Sequence, residues 1–287
     1  MTTLSQSAIA QRLPPECFFV ASALFHYLGP AFAVLLFAHI APIGVAWLRI
    51  FSAAFVFALW QRPWRAFGES SKQSQRDVIA LGAVLAAMNM TFYLALARLP
   101  LATVAAIEFL GPLALAAFGL RGRRNTIALV LAVVGVYQLI DFSPTGAALG
   151  YVFAFANCAL FVLYIVLGHR IAENGSSLGV CRLGLAMLIA AIVALPFGIV
   201  DAAPAFMSFA LVAAALGVGV CSSVIPYVLD QFAMARLSRG TFALMLTLLP
   251  ATATVVGLLV LEQVPKLSEC AGIALVIAGI ALHRRVT

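Results

Sequence analysis

Residues 97–112 read ARLPLATVAAIEFLGP, and residues 235–250 read ARLSRGTFALMLTLLP. Aligned without gaps, the two stretches are identical at seven of sixteen positions, including the arginine and the final proline. The copies lie about half the chain length apart, which indicates a duplicated architecture and not a solenoid. The first copy also places an ionisable residue, Glu108, in an apolar run just before Gly111-Pro112.

The composition is that of a membrane protein. Of the 287 residues, 64% are hydrophobic and 9% are charged, whereas a soluble domain carries about 25% charged residues. So few charges cannot cover a surface that faces water, and the lipid bilayer is the expected solvent. The net charge of +7 is spread over short loops without a basic stripe, so we expect no nucleic-acid partner.

Long apolar runs predict an all-α integral membrane protein, because about 17–25 such residues cross a bilayer as a helix. Ten transmembrane helices are predicted, at residues 17–38, 42–61, 77–97, 101–120, 126–141, 146–168, 178–199, 208–233, 240–261 and 267–283. Each half holds five helices, an odd number, so the second five-helix repeat is inverted relative to the first. The predicted units are an N-terminal tail (1–16), a first repeat (17–141), a second repeat (142–283) and a C-terminal tail (284–287).

The charges of the predicted loops orient these helices. With the N-terminus inside, fourteen of the 17 lysines and arginines lie in or beside the inner loops and the tails, whereas the outer loops hold Arg98 and Lys266. Cytoplasmic loops of membrane proteins carry such a basic excess. We therefore expect both termini to be cytoplasmic.

Ionisable residues within the predicted helices are the first candidates for function, because each costs roughly 2.5–3.5 kcal/mol at membrane depth on insertion scales. Glu108 could hold a proton or pair with a substrate ammonium, or it could bond a neighbouring helix. Arg49 could bind a substrate carboxylate or be the permanent partner of Glu108. Asp230 could be functional or could reach the inner membrane surface, and His26, just before the Gly29-Pro30 kink, could be functional or pack by a hydrogen bond.

Uncharged polar residues suggest where a pocket lies. Asn89 and Tyr93 share one face of the third predicted helix, and the repeat places Tyr227 on the matching face of the eighth. Two related polar faces predict a central substrate pocket, although hydrogen bonds between helices would give the same pattern. Pro112 and Pro250 each leave a carbonyl one turn earlier without its helical donor, so they are predicted to act as hinges or to provide acceptors for the pocket.

No cofactor and no metal site is predicted. The five cysteines lie within or beside apolar runs, and none has a CxxC spacing. No glycine-rich loop ends in lysine, so the sequence does not support ATP-driven transport by this chain alone. An intramembrane enzyme would need a nucleophile–base pair or a metal set, and no motif supports one.

Two motifs resemble a known family. In the first half the residues are Met88-Asn89, Phe92-Tyr93-Leu94, Pro100-Leu101, Glu108-Phe109 and Gly111-Pro112-Leu113. In the second half they are Pro226-Tyr227, Ala233, Arg236-Leu237, Thr241-Phe242, Leu244-Met245 and Pro250-Ala251. With ten helices in two inverted halves, they resemble the drug/metabolite transporter superfamily with its EamA-type repeats, and within it the inner-membrane threonine and homoserine exporters.

The resemblance implies a secondary active transporter of the bacterial inner membrane that exports small amino acids or related metabolites by alternating access. Its expected partners are the small-molecule substrate, protons and the lipid bilayer; the oligomeric state stays open. Carried over by position, the pocket residues are Glu108, Asn89, Tyr93, Arg49, Tyr227 and Asp230. Efflux of lipophilic drugs or purine-like metabolites is the alternative within transport, and a non-transporting helper or sensor is a further one.

Overall fold

The computed structural model describes residues 14–64, 71–119, 122–139, 148–173, 176–238, 241–242, 245–246, 248–264 and 266–282. Its helices, in order, are α1 (Pro15–Leu36), α2 (Pro42–Gln61), α3 (Lys72–Leu96), α4 (Leu101–Glu108), α5 (Leu110–Gly119), α6 (Arg123–Leu139), α7 (Ala148–Ala172), α8 (Ser176–Ala202), α9 (Phe209–Gly219), α10 (Ile225–Met234), α11 (Leu248–Leu261) and α12 (Leu267–Leu282). A 3₁₀ turn, Ala203–Met207, follows α8, and a π-helical segment, Val220–Val224, joins α9 to α10. Most of the predicted N-terminal tail, the C-terminal tail 284–287 and the predicted repeat boundary at 141/142 lie outside the described residues.

Six helices in the described part of the chain are long and apolar enough to cross a membrane. They are Glu16–Leu36, Pro42–Gln61, Lys72–Leu96, Ala148–Ala172, Leu178–Met207 and Phe209–Met234. Shorter apolar helices cover Leu101–Pro112, Ala251–Leu261 and Cys270–Gly279. The predicted all-α membrane class is confirmed, and the count of ten crossings stays a prediction.

The distribution of side chains is inverted relative to a soluble protein. Large apolar residues such as Val152, Ile192 and Leu259 are exposed on the outside, which is the surface that lipid would cover. Polar and ionisable side chains lie inside, among them Ser22, His26, Arg49, Asn89, Glu108, Asn157, Ser222, Ser223, Asp230 and Gln231. The interior is therefore where a polar site has to be sought.

The third helix begins earlier than predicted. The prediction starts it at residue 77, whereas α3 begins at Lys72, where the Ser71 hydroxyl caps the helix by accepting a hydrogen bond from the Ser74 N–H at 3.2 Å. Lys72 and Arg76 are exposed, so the first turn is polar. A search for apolar runs misses such a turn, because it extends beyond the apolar part of the helix.

Three helices that the sequence predicts as continuous are interrupted, and in the ninth a turn at Leu246 precedes α11. The fourth is divided between α4, which ends at Glu108, and α5, which begins at Leu110. Pro112 has no N–H to donate to the carbonyl of Glu108, so the regular hydrogen-bond ladder cannot continue there. Likewise, Pro226 has no N–H to donate to the carbonyl of Ser222. Ser222 lies in the π-helical segment that interrupts the eighth predicted helix.

Candidate functional site

A small cavity lies among α1, α2, α3, α4, α7 and α10. Its volume is about 10 Å³, which is room for a single water molecule, against about 300–1,000 Å³ for a typical small-molecule site. The lining residues are His26, Pro30, Arg49, Met88, Asn89, Phe92, Glu108, Asn157 and Tyr227. The structure is therefore closed around a polar interior site.

Glu108 is held by two other helices. It is buried as the last residue of α4, and its carboxyl accepts hydrogen bonds from Tyr27 Oη of α1 at 3.1 Å and from Asn157 Nδ2 of α7 at 2.8 Å. Gly111 keeps α5 close to α7, because a Cβ at this position would lie 2.5 Å from Val162 Cγ2. The break between α4 and α5 thus places an acidic side chain at the cavity and within reach of Asn157.

Arg49 is held by the π-helical segment. Its Nε donates to Ser223 Oγ at 2.7 Å, and its Nη2 donates to the backbone carbonyl of Ser222 at 2.6 Å. That carbonyl is available because Pro226, one turn later, has no N–H to donate to it. Gly29 of α1 lets the segment approach, since a Cβ there would overlap Ser222. The guanidinium is thereby positioned without an ion-pair contact to any acidic side chain that the structure describes.

Arg49 and Glu108 border the same cavity but do not form an ion pair. Among the described residues, one ion pair is present, between Arg170 and Asp77 at 3.5 Å, and it lies near the surface. The permanent Arg49–Glu108 pair considered from the sequence is wrong for this conformation. The cavity instead has a buried cation and a buried carboxyl group at its walls, each bonded to other groups.

Within the described part of the chain, several buried polar atoms at the cavity have no hydrogen-bond partner. They include Asn89 Oδ1, Asn157 Oδ1 and Tyr227 Oη; the nearby Tyr93 hydroxyl is close to Arg49 and Ser222 but outside hydrogen-bond geometry. The guanidinium of Arg49 lies over the Tyr93 ring at 5.6 Å, and the Tyr227 hydroxyl is close to the Asn89 amide but outside hydrogen-bond geometry. An unpaired buried polar atom costs about 1–3 kcal/mol, which indicates that this site is built for a polar occupant.

The other two candidates occupy different places. His26 lines the cavity, and its ring lies 6.3 Å from the Tyr227 ring, centroid to centroid. Asp230 does not line it; its carboxyl accepts hydrogen bonds from Ser22 Oγ at 2.6 Å and Tyr164 Oη at 3.0 Å. Asp230 is also buried, so the alternative that it reaches the membrane surface is wrong for this conformation.

Three prolines mark residues at or beside the cavity. Each proline lies four residues after one of these cavity residues. The backbone carbonyl of that earlier residue therefore has no helical N–H donor. The pairs are His26–Pro30, Glu108–Pro112 and Ser222–Pro226. This spacing is a signal that sequence reasoning could have used to find Ser222. Pro250, the other predicted hinge, lies in the first turn of α11.

Comparison with known proteins places this architecture. Residues 148–284 match the EamA-like transporter family. Over 257 residues the chain is 33% identical to "Threonine/homoserine exporter RhtA" of Salmonella typhimurium (strain LT2), covering 86% of this chain and 84% of the relative. The protein of that name from Escherichia coli (strain K12) is 31% identical over 242 residues, 82% of this chain and 79% of the relative. The chain belongs to the EamA-like transporter family.

The fold of this chain is also seen in a solved structure. One crystal structure shares 17% sequence identity with the chain, has a TM-score of 0.67, and covers 93% of this chain and 96% of its own. Identity this low supports the fold alone. Membership of the EamA-like family, predicted from the motifs around Glu108 and Tyr227, is confirmed by the relatives.

Proposed function

We propose that this EamA-like transporter is a secondary active exporter of small amino acids, of the threonine and homoserine kind, in the bacterial inner membrane. The observation that carries the proposal is that Arg49 and Glu108 border one cavity without pairing with each other. An α-amino acid has a carboxylate that can bind Arg49 and an ammonium group that can bind Glu108. The names of the relatives support the same class of substrate.

Arg49 is placed to bind the carboxylate. Its hydrogen bonds to Ser223 and Ser222 engage Nε and Nη2. The guanidinium has five N–H donors, so it keeps others for a ligand beside the Tyr93 hydroxyl. Charge-assisted hydrogen bonds from arginine to carboxylate are among the strongest in proteins. Because both serine contacts fix the guanidinium plane, little ordering is needed when the substrate arrives.

Glu108 is placed to bind the ammonium and, in its absence, a proton. A buried carboxylate without a cation in contact is costly. Tyr27 and Asn157 supply hydrogen bonds but no positive charge, and Arg49 acts on Glu108 only across the cavity, without an ion-pair contact. A proton neutralises the group when the site is empty, and the ammonium of the substrate takes its place when the site is filled. This exchange would couple the entry of a proton to the export of an amino acid.

Helix packing supports the proposed ten crossings in two related repeats, and the cytoplasmic termini rest on the loop charges. The second predicted crossing packs on the seventh (α2 on α8), and the fifth packs on the tenth (α6 on α12). The third packs on the sixth (α3 on α7), and the eighth packs on the first (α10 on α1). Exchanging the halves converts each contact into itself or into another of the set, as two related repeats require. The odd number of predicted helices in each half then makes the repeats inverted, the arrangement used for alternating access. Pro112 and Pro250 would then be hinges at equivalent positions.

The chemistry of the cavity favours an amino acid over the alternatives. Six of its nine lining residues are polar or ionisable: His26, Arg49, Asn89, Glu108, Asn157 and Tyr227. A lipophilic drug would leave these groups buried and unpaired, and a neutral purine would leave Arg49 without a carboxylate. The relatives are exporters by name, so we propose no enzymatic role.

Counterflow in proteoliposomes tests this function. Vesicles preloaded with unlabelled threonine or homoserine should take up labelled threonine faster than empty vesicles, and an outward proton gradient should accelerate net uptake into empty vesicles. Unlabelled nucleobases and lipophilic cations should not replace the amino acid inside. Exchange with nucleobases or drugs, and none with any amino acid, would contradict the proposal.

A further inference from the structure

The Asn89 side chain presents a fixed acceptor to the cavity. Its Nδ2 donates to the carbonyl of Leu85, one turn earlier in α3, at 2.8 Å. A backbone carbonyl only accepts hydrogen bonds, so the amide must place its NH₂ group there and its Oδ1 on the other side. This Oδ1 is buried and has no hydrogen-bond partner among the residues that the structure describes, and Asn89 lines the cavity.

Asn157 presents a second unpaired acceptor, but in a different setting. Its Nδ2 donates to Glu108 Oε1, so its Oδ1 lies next to the carboxyl group that we assign to the ammonium. The Asn89 side chain, in contrast, forms its hydrogen bond within its own helix, and not with Glu108 or Arg49. The two ends of an amino acid therefore account for Glu108, Asn157 and Arg49, and they leave Asn89 for the substrate's side chain.

We propose that Asn89 Oδ1, with the Tyr227 hydroxyl beside it, forms a subsite that accepts a hydrogen bond from a hydroxyl group on the side chain of the substrate. The inference rests on the proposed function and deepens it, since it names what the site selects among small amino acids. Met88 and Phe92 line the same cavity and provide apolar contact for the carbon atoms of that side chain.

Selectivity follows from the cost of leaving Asn89 unpaired. A substrate with a methyl group in place of the hydroxyl fits the same space but keeps Oδ1 buried without a donor. Sites built to hydrogen-bond a substrate hydroxyl reject the analogue that lacks it far more strongly than apolar pockets reject a change of size. Threonine should therefore be preferred over valine, and homoserine over norvaline, although the members of each pair have nearly the same shape.

The test measures this preference in proteoliposomes. Unlabelled threonine and valine compete with labelled threonine in counterflow, and homoserine and norvaline form the second pair. In the native protein we expect valine to compete about tenfold or more weakly than threonine, the effect of about one hydrogen bond. In Asn89→Leu, and in Asn89→Ala as a second substitution, threonine and valine should compete nearly equally. Labelled valine is used wherever threonine transport is too slow.

Two matched variants separate a selecting residue from a structural one. Thr91→Val removes a hydroxyl group from the same helix. This hydroxyl bonds to the Ala87 carbonyl, and Thr91 does not line the cavity. The preference for threonine over valine should therefore equal that of the native protein. Asn157→Leu should weaken threonine and valine in parallel and leave their ratio unchanged, because both carry the ammonium. Elution as a single peak on gel filtration identifies the variants that are folded.

The outcomes distinguish this inference from the function on which it rests. Exchange of amino acids without any preference for the hydroxylated member of a pair would overturn the subsite alone. A preference that survives in both Asn89 variants would also overturn it, and a loss of preference in Asn157→Leu would move the subsite to that residue. Failure of every amino acid to exchange in the native protein would remove the proposed function as well.

Discussion

Glu108 and Asp230 are two buried carboxyl groups held in nearly the same way. Each accepts one hydrogen bond from α1 and one from α7: Glu108 from Tyr27 and Asn157, Asp230 from Ser22 and Tyr164. Along α1 the two donors are five residues apart, which is about 7.5 Å of helix. The protein thus joins the same two helices twice, at two depths.

The surroundings of the two carboxyl groups differ. Glu108 lines the cavity that Arg49 also borders, and its partner Asn157 keeps an unpaired acceptor there. Asp230 does not line the cavity, and its donor Ser22 also bonds to the carbonyl of Pro226. Burial and hydrogen bonding alone therefore do not identify a functional acid. We infer that Glu108 acts on the substrate and the proton, and that Asp230 holds α10 against α1 and α7.

Neutralising each acid in turn should give the largest difference. Glu108→Gln removes the charge that the ammonium needs, and we expect threonine counterflow to fall about 30-fold or more, given about 2–5 kcal/mol for one partner of a buried charge pair. Asp230→Asn should keep counterflow within about threefold, because hydrogen-bond capacity remains while only a structural contact changes. Equal losses in the two variants at equal expression would break the distinction.

The assignment of Arg49 to the carboxylate can be tested with a substrate that lacks this group. Arg49→Lys replaces a planar group with a point charge that cannot reproduce both serine contacts. We expect the affinity for threonine to fall about tenfold or more, while competition by 1-amino-2-propanol, the decarboxylated analogue of threonine, changes little. A parallel loss for both compounds would show that Arg49 acts only on the structure.

The tyrosine donors offer a matched pair of substitutions. Tyr27→Phe removes a donor to Glu108 and should slow threonine counterflow about fivefold, because the carboxyl group assigned to the ammonium loses one of the two hydrogen bonds that position it. Tyr164→Phe removes a donor to Asp230; it should destabilise the protein by about 1–3 kcal/mol and leave counterflow per folded molecule near the native value. The reverse assignment of these effects would exchange the roles of the two acids.

The smallest effect is expected at Pro226. Pro226→Ala restores an N–H that can compete with Arg49 for the carbonyl of Ser222, so threonine affinity should weaken by about two- to threefold. Pro196→Ala is the control, because this proline also lies inside a helix but is exposed on α8, away from the cavity. A threonine dissociation constant that is equal in both variants would show that the freed carbonyl has no part in binding.

The sequence predicted the membrane class and much of the site because membrane depth makes polar residues conspicuous. Glu108, Arg49, Asn89, His26 and Tyr227 were all found in this way, and all line the cavity. What the sequence could not provide was the depth and rotation of one helix relative to another. Those quantities decide that Asp230 faces Ser22 and Tyr164 instead of the cavity.

Other parts of the site depend on irregular backbone. Ser222 and Ser223 lie in an apolar run and reach Arg49 only because the helix passes through a π-helical segment, a deviation that hydrophobic periodicity does not reveal. Asn157 is an isolated amide in an apolar helix, and its importance becomes visible only beside Glu108. The proline four residues after each freed carbonyl is the one local signal of this kind.

Proton release on substrate binding tests the central claim most directly. Threonine is added to the purified protein in detergent at neutral pH and low buffer capacity, and the released protons are followed with a pH-sensitive dye. By linkage, the native protein and Asp230→Asn should each release up to about one proton for each threonine bound, whereas Glu108→Gln should release none. Binding without proton release in the native protein, or release that persists in Glu108→Gln and disappears in Asp230→Asn, would contradict the account.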